Sequence, residues 1–167
     1  ELAPGVNGLS ASNGFGTAAD IAIVTRRAAD IAGATSMDRP EWAAVNPANG
    51  EVFFALTNNT SRGNGTATEL PEIYKGNRDI GADAANPRLS NAHGHIIRMR
   101  EAGGLNAATS FEWEIMVFGS RNDNATTNIS NLTGASDFSS PDGLWMDPRG
   151  LLWIQTDDGS NFTSGAT

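Results

Sequence analysis

Pro40-Glu41-Trp42-Ala43-Ala44-Val45-Asn46-Pro47 reappears 101 positions later as Pro141-Asp142-Gly143-Leu144-Trp145-Met146-Asp147-Pro148, with no gap between the copies. Each copy continues through a Gly into a strand-like apolar run, 51–56 in the first and 151–155 in the second. Both runs end in a polar cluster, Thr57-Asn58-Asn59-Thr60 and Thr156-Asp157-Asp158-Gly159. A carboxylate, an apolar stretch, Asn/Asp-Pro, a Gly turn and a second strand make one β-hairpin used in two places. Repetition of that kind points to a radial all-β repeat, a β-propeller, rather than one irregular domain. In a ring of blades the matched carboxylates Glu41 and Asp142 would both face the axis, where like charges converge.

Length bounds the ring. A blade takes about 40–50 residues and closure needs at least four of them, so the repeat interval is expected to span about two blades and the 167 residues about three to four. An open propeller leaves strand edges unpaired. The chain also opens on Glu1 rather than Met and stops just after a strand-like run. The expectation is therefore a fragment of a larger propeller domain, with the rest of the ring supplied by chain upstream. Within it, residues 1–17 read as Gly/Ser/Asn-rich loop, 18–36 as a helical insertion with one helix over 18–31, and 37–167 as blades. Strands are expected over 41–45, 51–56, 95–100 and 111–118, followed by the second hairpin. The polar stretch 57–89 reads as an excursion over one face.

A formal charge of −8, from 19 acidic and 11 basic residues, disfavours a nucleic-acid partner, because no basic face is available to release counterions. Cysteine is absent, which removes disulfides, thiolate metal sites and a Cys nucleophile from this stretch. No apolar run approaches the roughly 20 residues that span a bilayer, so no membrane partner is expected. No Gly-x-Ser-x-Gly elbow or Gly-Lys-Ser/Thr loop is present.

Three groups of residues carry candidate chemistry. Arg39 and Glu41 lie two apart in an extended segment and share a face. Such a pair can divide the work of a phosphate site, the guanidinium grasping oxygens and the carboxylate holding a metal; it can equally be a surface ion pair beside a proline. Asp142, in Ser140-Pro141-Asp142-Gly143, reads alone as a turn residue, but one turn explains one carboxylate and not a matched pair. His93 and His95 read as an exposed turn rather than a zinc site, since no third imidazole or Cys supports them. Oxygen donors dominate, and calcium is the metal they suit best. Asp157-Asp158-Gly159 reads as a strand-ending turn. Trp42, Trp113, Trp145 and Trp153 lie in or beside strand candidates and are expected in the blade core.

Several of these stretches form a recognisable set. Arg27-Ala28-Ala29-Asp30, Gly33-Ala34-Thr35, Met37-Asp38-Arg39-Pro40-Glu41-Trp42, Asn91-Ala92-His93-Gly94-His95-Ile96-Ile97-Arg98, Ser140-Pro141-Asp142-Gly143-Leu144-Trp145 and Asp147-Pro148-Arg149-Gly150 resemble, in order, the C-terminal half of the PhoX-type alkaline phosphatases. The resemblance runs over roughly residues 20–160. It implies a bacterial phosphomonoesterase built on a propeller and exported to the periplasm or outside the cell, with a calcium and iron cluster on the axis. It further implies that Arg39 contacts the substrate phosphate and that Glu41 and Asp142 are carboxylate ligands of the cluster. The family's iron-bridging cysteine and several acidic ligands belong to a part outside this chain, so the isolated chain is expected to be inactive; Met99 stands where a Trp is usual. Two other functions fit the residues alone: a different calcium-dependent propeller hydrolase, lactonase-like and without need of Arg39, and a non-catalytic propeller module that binds protein or glycan.

Overall fold

The computed structural model describes residues 2–63 and 81–157. They fall into two compact units, each with its own core.

The first unit is described over residues 2–36. Thr17 caps helix α1 (Ala18–Ile23): its hydroxyl accepts from Asp20 N at 3.2 Å while the Asp20 carboxylate accepts from Thr17 N at 2.8 Å, a reciprocal capping box. The single helix expected over 18–31 is in fact two. Val24, at φ −123° and ψ 50°, breaks it, and the Thr25 hydroxyl turns back to donate to Ile21 O and Ala22 O before α2 (Thr25–Ile31) begins. A β-branched pair at a helix middle, one member with a hydroxyl that competes for backbone carbonyls, is the local cause. The segment expected as loop contributes a 3₁₀ turn at Ala11–Asn13. Leu9 and Phe15 from this segment pack with Ile21, Ala28 and Ile31 into a small core.

The second unit holds the repeats. Strands β1 (Pro40–Val45), β2 (Val52–Leu56), β3 (His95–Glu101) and β4 (Phe111–Phe118) form one antiparallel sheet in sequential order, and β5 (Pro141–Met146) pairs with β6 (Leu152–Thr156) in a separate hairpin. The described residues thus make one four-stranded and one two-stranded sheet. The first copy of the repeated hairpin opens the four-stranded sheet and the second copy forms the separate two-stranded one. Among the described residues the fold is mostly β, as expected, with α1 and α2 near the N-terminus and a short 3₁₀ turn at Ala102–Gly104 after β3.

Alternation along the strands builds the core. Ala44, Phe53, Ala55 and Ile96 lie on one face of the large sheet and meet Leu144 of β5, with Met146, Leu152 and Ile154 packed alongside. The opposite face carries Phe54, Leu56, Ile97 and Ile115. β5 lies against β1 and β2, so the two copies of the repeated hairpin are neighbours. The four tryptophans depart from the expectation of a core position: Trp42, Trp113, Trp145 and Trp153 are 41–60% exposed. Phe53 with small and aliphatic residues fills the space between the sheets, leaving the indoles on exposed faces of this chain.

Candidate functional site

The copies match in detail at their starts. In β1, Pro40 pairs with Leu56 and the next pairing is Ala43 with Phe54; in β5, Pro141 pairs with Thr156 and the next is Leu144 with Ile154. Each first strand advances three residues while its partner advances two, a bulge that leaves Glu41-Trp42 and Asp142-Gly143 outside the regular ladder. Bulges re-aim side chains and are common beside functional sites. The residue before each proline also repeats an unusual backbone: Arg39 has φ 49° and Ser140 φ 53°. A left-handed conformation at a non-glycine residue costs about 1–3 kcal/mol, and proline disfavours helical geometry in its predecessor. Backbone bonds from the end of the partner strand hold both, Thr57 N to Arg39 O at 3.1 Å and Asp157 N to Ser140 O at 2.8 Å.

Arg39 Nη2 donates to Glu41 Oε1 at 3.2 Å, with side chains 58% and 38% exposed. An exposed ion pair contributes about 0–1 kcal/mol, less than the backbone strain at Arg39. Stability alone therefore does not account for the arrangement. Arg39 Nη1 donates to Asn58 Oδ1 at 3.0 Å, and Asn58 Nδ2 donates to Ser140 Oγ at 3.1 Å. The structure thus joins Arg39 to Glu41 directly and to the turn preceding Asp142 through one amide. Asp142 is half-buried at the matching bulge, and no described residue pairs with its carboxylate. Asp147 is the opposite case. Its oxygens accept from the Arg149 and Leu151 amides, from the Arg149 guanidinium and from Trp153 Nε1, and these bonds, led by the Leu151 amide, pull its carboxyl below the ordinary range. Asp147 is committed to its turn; Asp142 is not.

Beneath this surface lies a closed polar cluster with no counterpart in the sequence expectations. Asp38 is fully buried and accepts from Arg62 Nε at 2.6 Å, Asn59 Nδ2 at 3.0 Å and Asn91 Nδ2 at 3.0 Å, while its own amide donates to Asn86 Oδ1 at 2.9 Å. Arg62 also reaches Asp83 at 3.3 Å. The anchor for Arg39 is its immediate neighbour. The two histidines are buried, correcting the expectation of an exposed turn. His95 Nε2 donates to Ala85 O at 2.8 Å and its Nδ1 accepts from Asn91 Nδ2 at 3.1 Å. Burial pushes its pKa below the ordinary value. His93 Nδ1 lies 3.0 Å from Ser139 Oγ; burial, then the Arg88 and Arg121 charges, lower it likewise. Asp157 directly follows the last residue of β6, Thr156, and Asp158-Gly159 lie outside the described residues.

Among the described residues no group of three acidic or imidazole side chains is arranged to hold a metal ion, and no helix is long and apolar enough to cross a membrane. Glu41 and Asp142 are hard oxygen donors suited to calcium, and they form at most part of a ligand set.

Repeated antiparallel hairpins with carboxylates in matched bulges define a β-hairpin repeat module. The family model for alkaline phosphatase PhoX matches residues 3–167, and the chain belongs to that family. Among solved structures, Pseudomonas fluorescens PhoX in complex with vanadate, a transition state analogue, is similar at 40% identity and a TM-score of 0.80. The alignment covers 96% of this chain and 26% of that one, so the chain spans about a quarter of its length. No curated protein matches.

Proposed function

We propose that this chain is the part of an exported phosphomonoesterase that supplies a phosphate-grasping arginine and two carboxylate ligands to a metal site completed by residues elsewhere in a larger propeller. The observation that carries the reading is the matched bulge: Glu41 and Asp142 occupy equivalent positions in adjacent hairpins, with Arg39 fixed beside the first. Membership of the alkaline phosphatase PhoX family and the likeness to a relative that binds vanadate support phosphate monoesters as the substrate class. The family also supports a periplasmic or extracellular location. The span of about a quarter of that relative supports a site shared with other segments and an isolated chain without activity.

Arg39 in this reading binds the equatorial oxygens of the phosphoryl group through the guanidinium donors that Asn58 and Glu41 leave open. Its charge strengthens the hold as negative charge develops in the transition state. Glu41 has two tasks, orienting Arg39 through one oxygen and offering the rest of its carboxylate to a cation. Asp142, without a partner among the described residues, is available as a ligand outright. Bound calcium, and iron where the family's cysteine is present, would supply charge neutralisation for the phosphate dianion.

The test is a set of three variants of the full-length protein, Arg39→Ala, Glu41→Ala and Asp142→Ala, assayed on an aryl phosphate beside metal analysis. Arg39→Ala is expected to lower kcat/KM by roughly 10²–10³ with metal content intact. The carboxylate variants are expected to lose metal. Full metal content in both carboxylate variants refutes the ligand assignment.

A further inference from the structure

We propose that Asn58 is a positioning residue for Arg39, an inference that rests on the phosphate-binding reading of that arginine. Both ends of the Asn58 amide are engaged: Oδ1 accepts from Arg39 Nη1 at 3.0 Å and Nδ2 donates to Ser140 Oγ at 3.1 Å. The orientation is chemically determined, because a guanidinium only donates and therefore must face the amide oxygen. Glu41 takes the other terminal nitrogen, so the guanidinium is gripped from both sides while donors remain open for an anion.

An amide suits this task in a way that a carboxylate does not. It fixes the guanidinium without adding a second negative charge to that of Glu41, so positive charge is left for the substrate. Asn58 is itself held firmly. Its neighbour Thr57 donates from the backbone to Arg39 O at 3.1 Å and from the hydroxyl to Pro141 O at 2.9 Å. One dipeptide at the end of β2 therefore contacts both of the strained turns that precede the candidate carboxylates. Asn58 sets the direction of Arg39 relative to the second hairpin as well as the first.

A double-mutant cycle in the full-length protein tests this, using Asn58→Ala, Arg39→Ala and the pair, with an aryl phosphate as substrate and vanadate as inhibitor. Asn58→Ala is expected to lower kcat/KM by roughly 10- to 100-fold, to weaken vanadate inhibition and to leave bound metal unchanged. The double variant is expected to be no worse than Arg39→Ala, because a residue acting through another has nothing left to direct once that residue is gone. Losses that multiply in the double variant overturn the proposal, as does an Asn58→Ala enzyme with wild-type kcat/KM. Should Asn58→Ala unfold, Asn58→Asp decides: it keeps the acceptor but cancels the charge, so vanadate inhibition should weaken while the thermal midpoint stays near wild type. Wild-type inhibition of Asn58→Asp overturns the proposal. Wild-type activity of Arg39→Ala would instead sink the phosphate-site reading itself. An impaired Arg39→Ala beside unimpaired Asn58 variants sinks only the role of Asn58.

Discussion

The Thr57 hydroxyl donates to the Pro141 carbonyl at 2.9 Å, tying the end of β2 to the start of β5 across the boundary between the two sheets. Both residues are buried, so the bond has no water to replace it. Thr57→Val keeps the shape and removes the donor, leaving a buried carbonyl unsatisfied at a cost of about 1–3 kcal/mol. Denaturant unfolding of the full-length protein should show that loss, and Thr57→Ser should recover most of it.

Asp38 and Arg62 make the deepest ion pair described, with side chains 0% and 1% exposed. Deleting Asp38 leaves the buried Arg62 guanidinium with only the partly exposed Asp83 carboxylate, 3.3 Å away, to offset its charge, and breaking a buried pair in this way costs about 3–5 kcal/mol. Asp38→Ala should therefore lower stability by that order, far more than Glu41→Ala, whose pair is exposed. Equilibrium unfolding of the two variants side by side checks the ranking.

His95 links pH to stability. Burial, above all, favours its neutral form in the folded state, and a proton on Nδ1 would face the Asn91 amide donor. In the unfolded chain the ring titrates near 6.5. Between that value and the lower folded pKa the unfolded state binds more protons, so stability rises with pH across the window. The contribution is complete above about pH 6.5 and is lost progressively below it. Thermal melting from pH 7.5 down to 5.5 should fall less steeply in His95→Gln than in the wild type.

Gly94 allows the His93 turn to sit against the end of β2. Its φ is 69°, and a Cβ there would stand 2.1 Å from Thr57 O and 2.3 Å from Leu56 O. Backbone carbonyls do not yield to such an overlap. Gly94→Ala should cost at least the roughly 1–3 kcal/mol of the backbone conformation alone, visible as a lowered thermal midpoint. Because Thr57 is the displaced neighbour, the variant should also weaken vanadate inhibition.

The repeated hairpin was legible because its pattern is local: strand, Asn/Asp-Pro turn and strand are all encoded within some 17 residues of each copy. Phe111-Glu112-Trp113-Glu114 announced β4 by alternation in the same way. The break at Val24 was not legible, since Ile21, Val24, Ala28 and Ile31 keep helical spacing on both sides of it. Nor was the cluster around Asp38, whose partners lie 21 to 53 residues away and follow no motif. The burial of His93 beside Ser139, 46 residues away, and of His95 between Asn91 and the Ala85 carbonyl likewise follows no motif. Asn58 and Thr57 left one trace, the polar cluster that ends the first strand pair in the place where Asp157 ends the second. The bulges themselves became visible only in the strand register.

Asp38 and Arg39 are adjacent, one sealed beneath the surface and the other reaching into solvent. The chain therefore assigns foundation and tool to successive residues. An exposed side chain at position 39 can be exchanged for others that tolerate its left-handed backbone without touching the buried cluster, whereas position 38 leaves almost no such latitude. A library that varies residue 39 alone should consequently return mostly folded proteins, with β-branched side chains the poorest among them, while one that varies residue 38 should return mostly inclusion bodies.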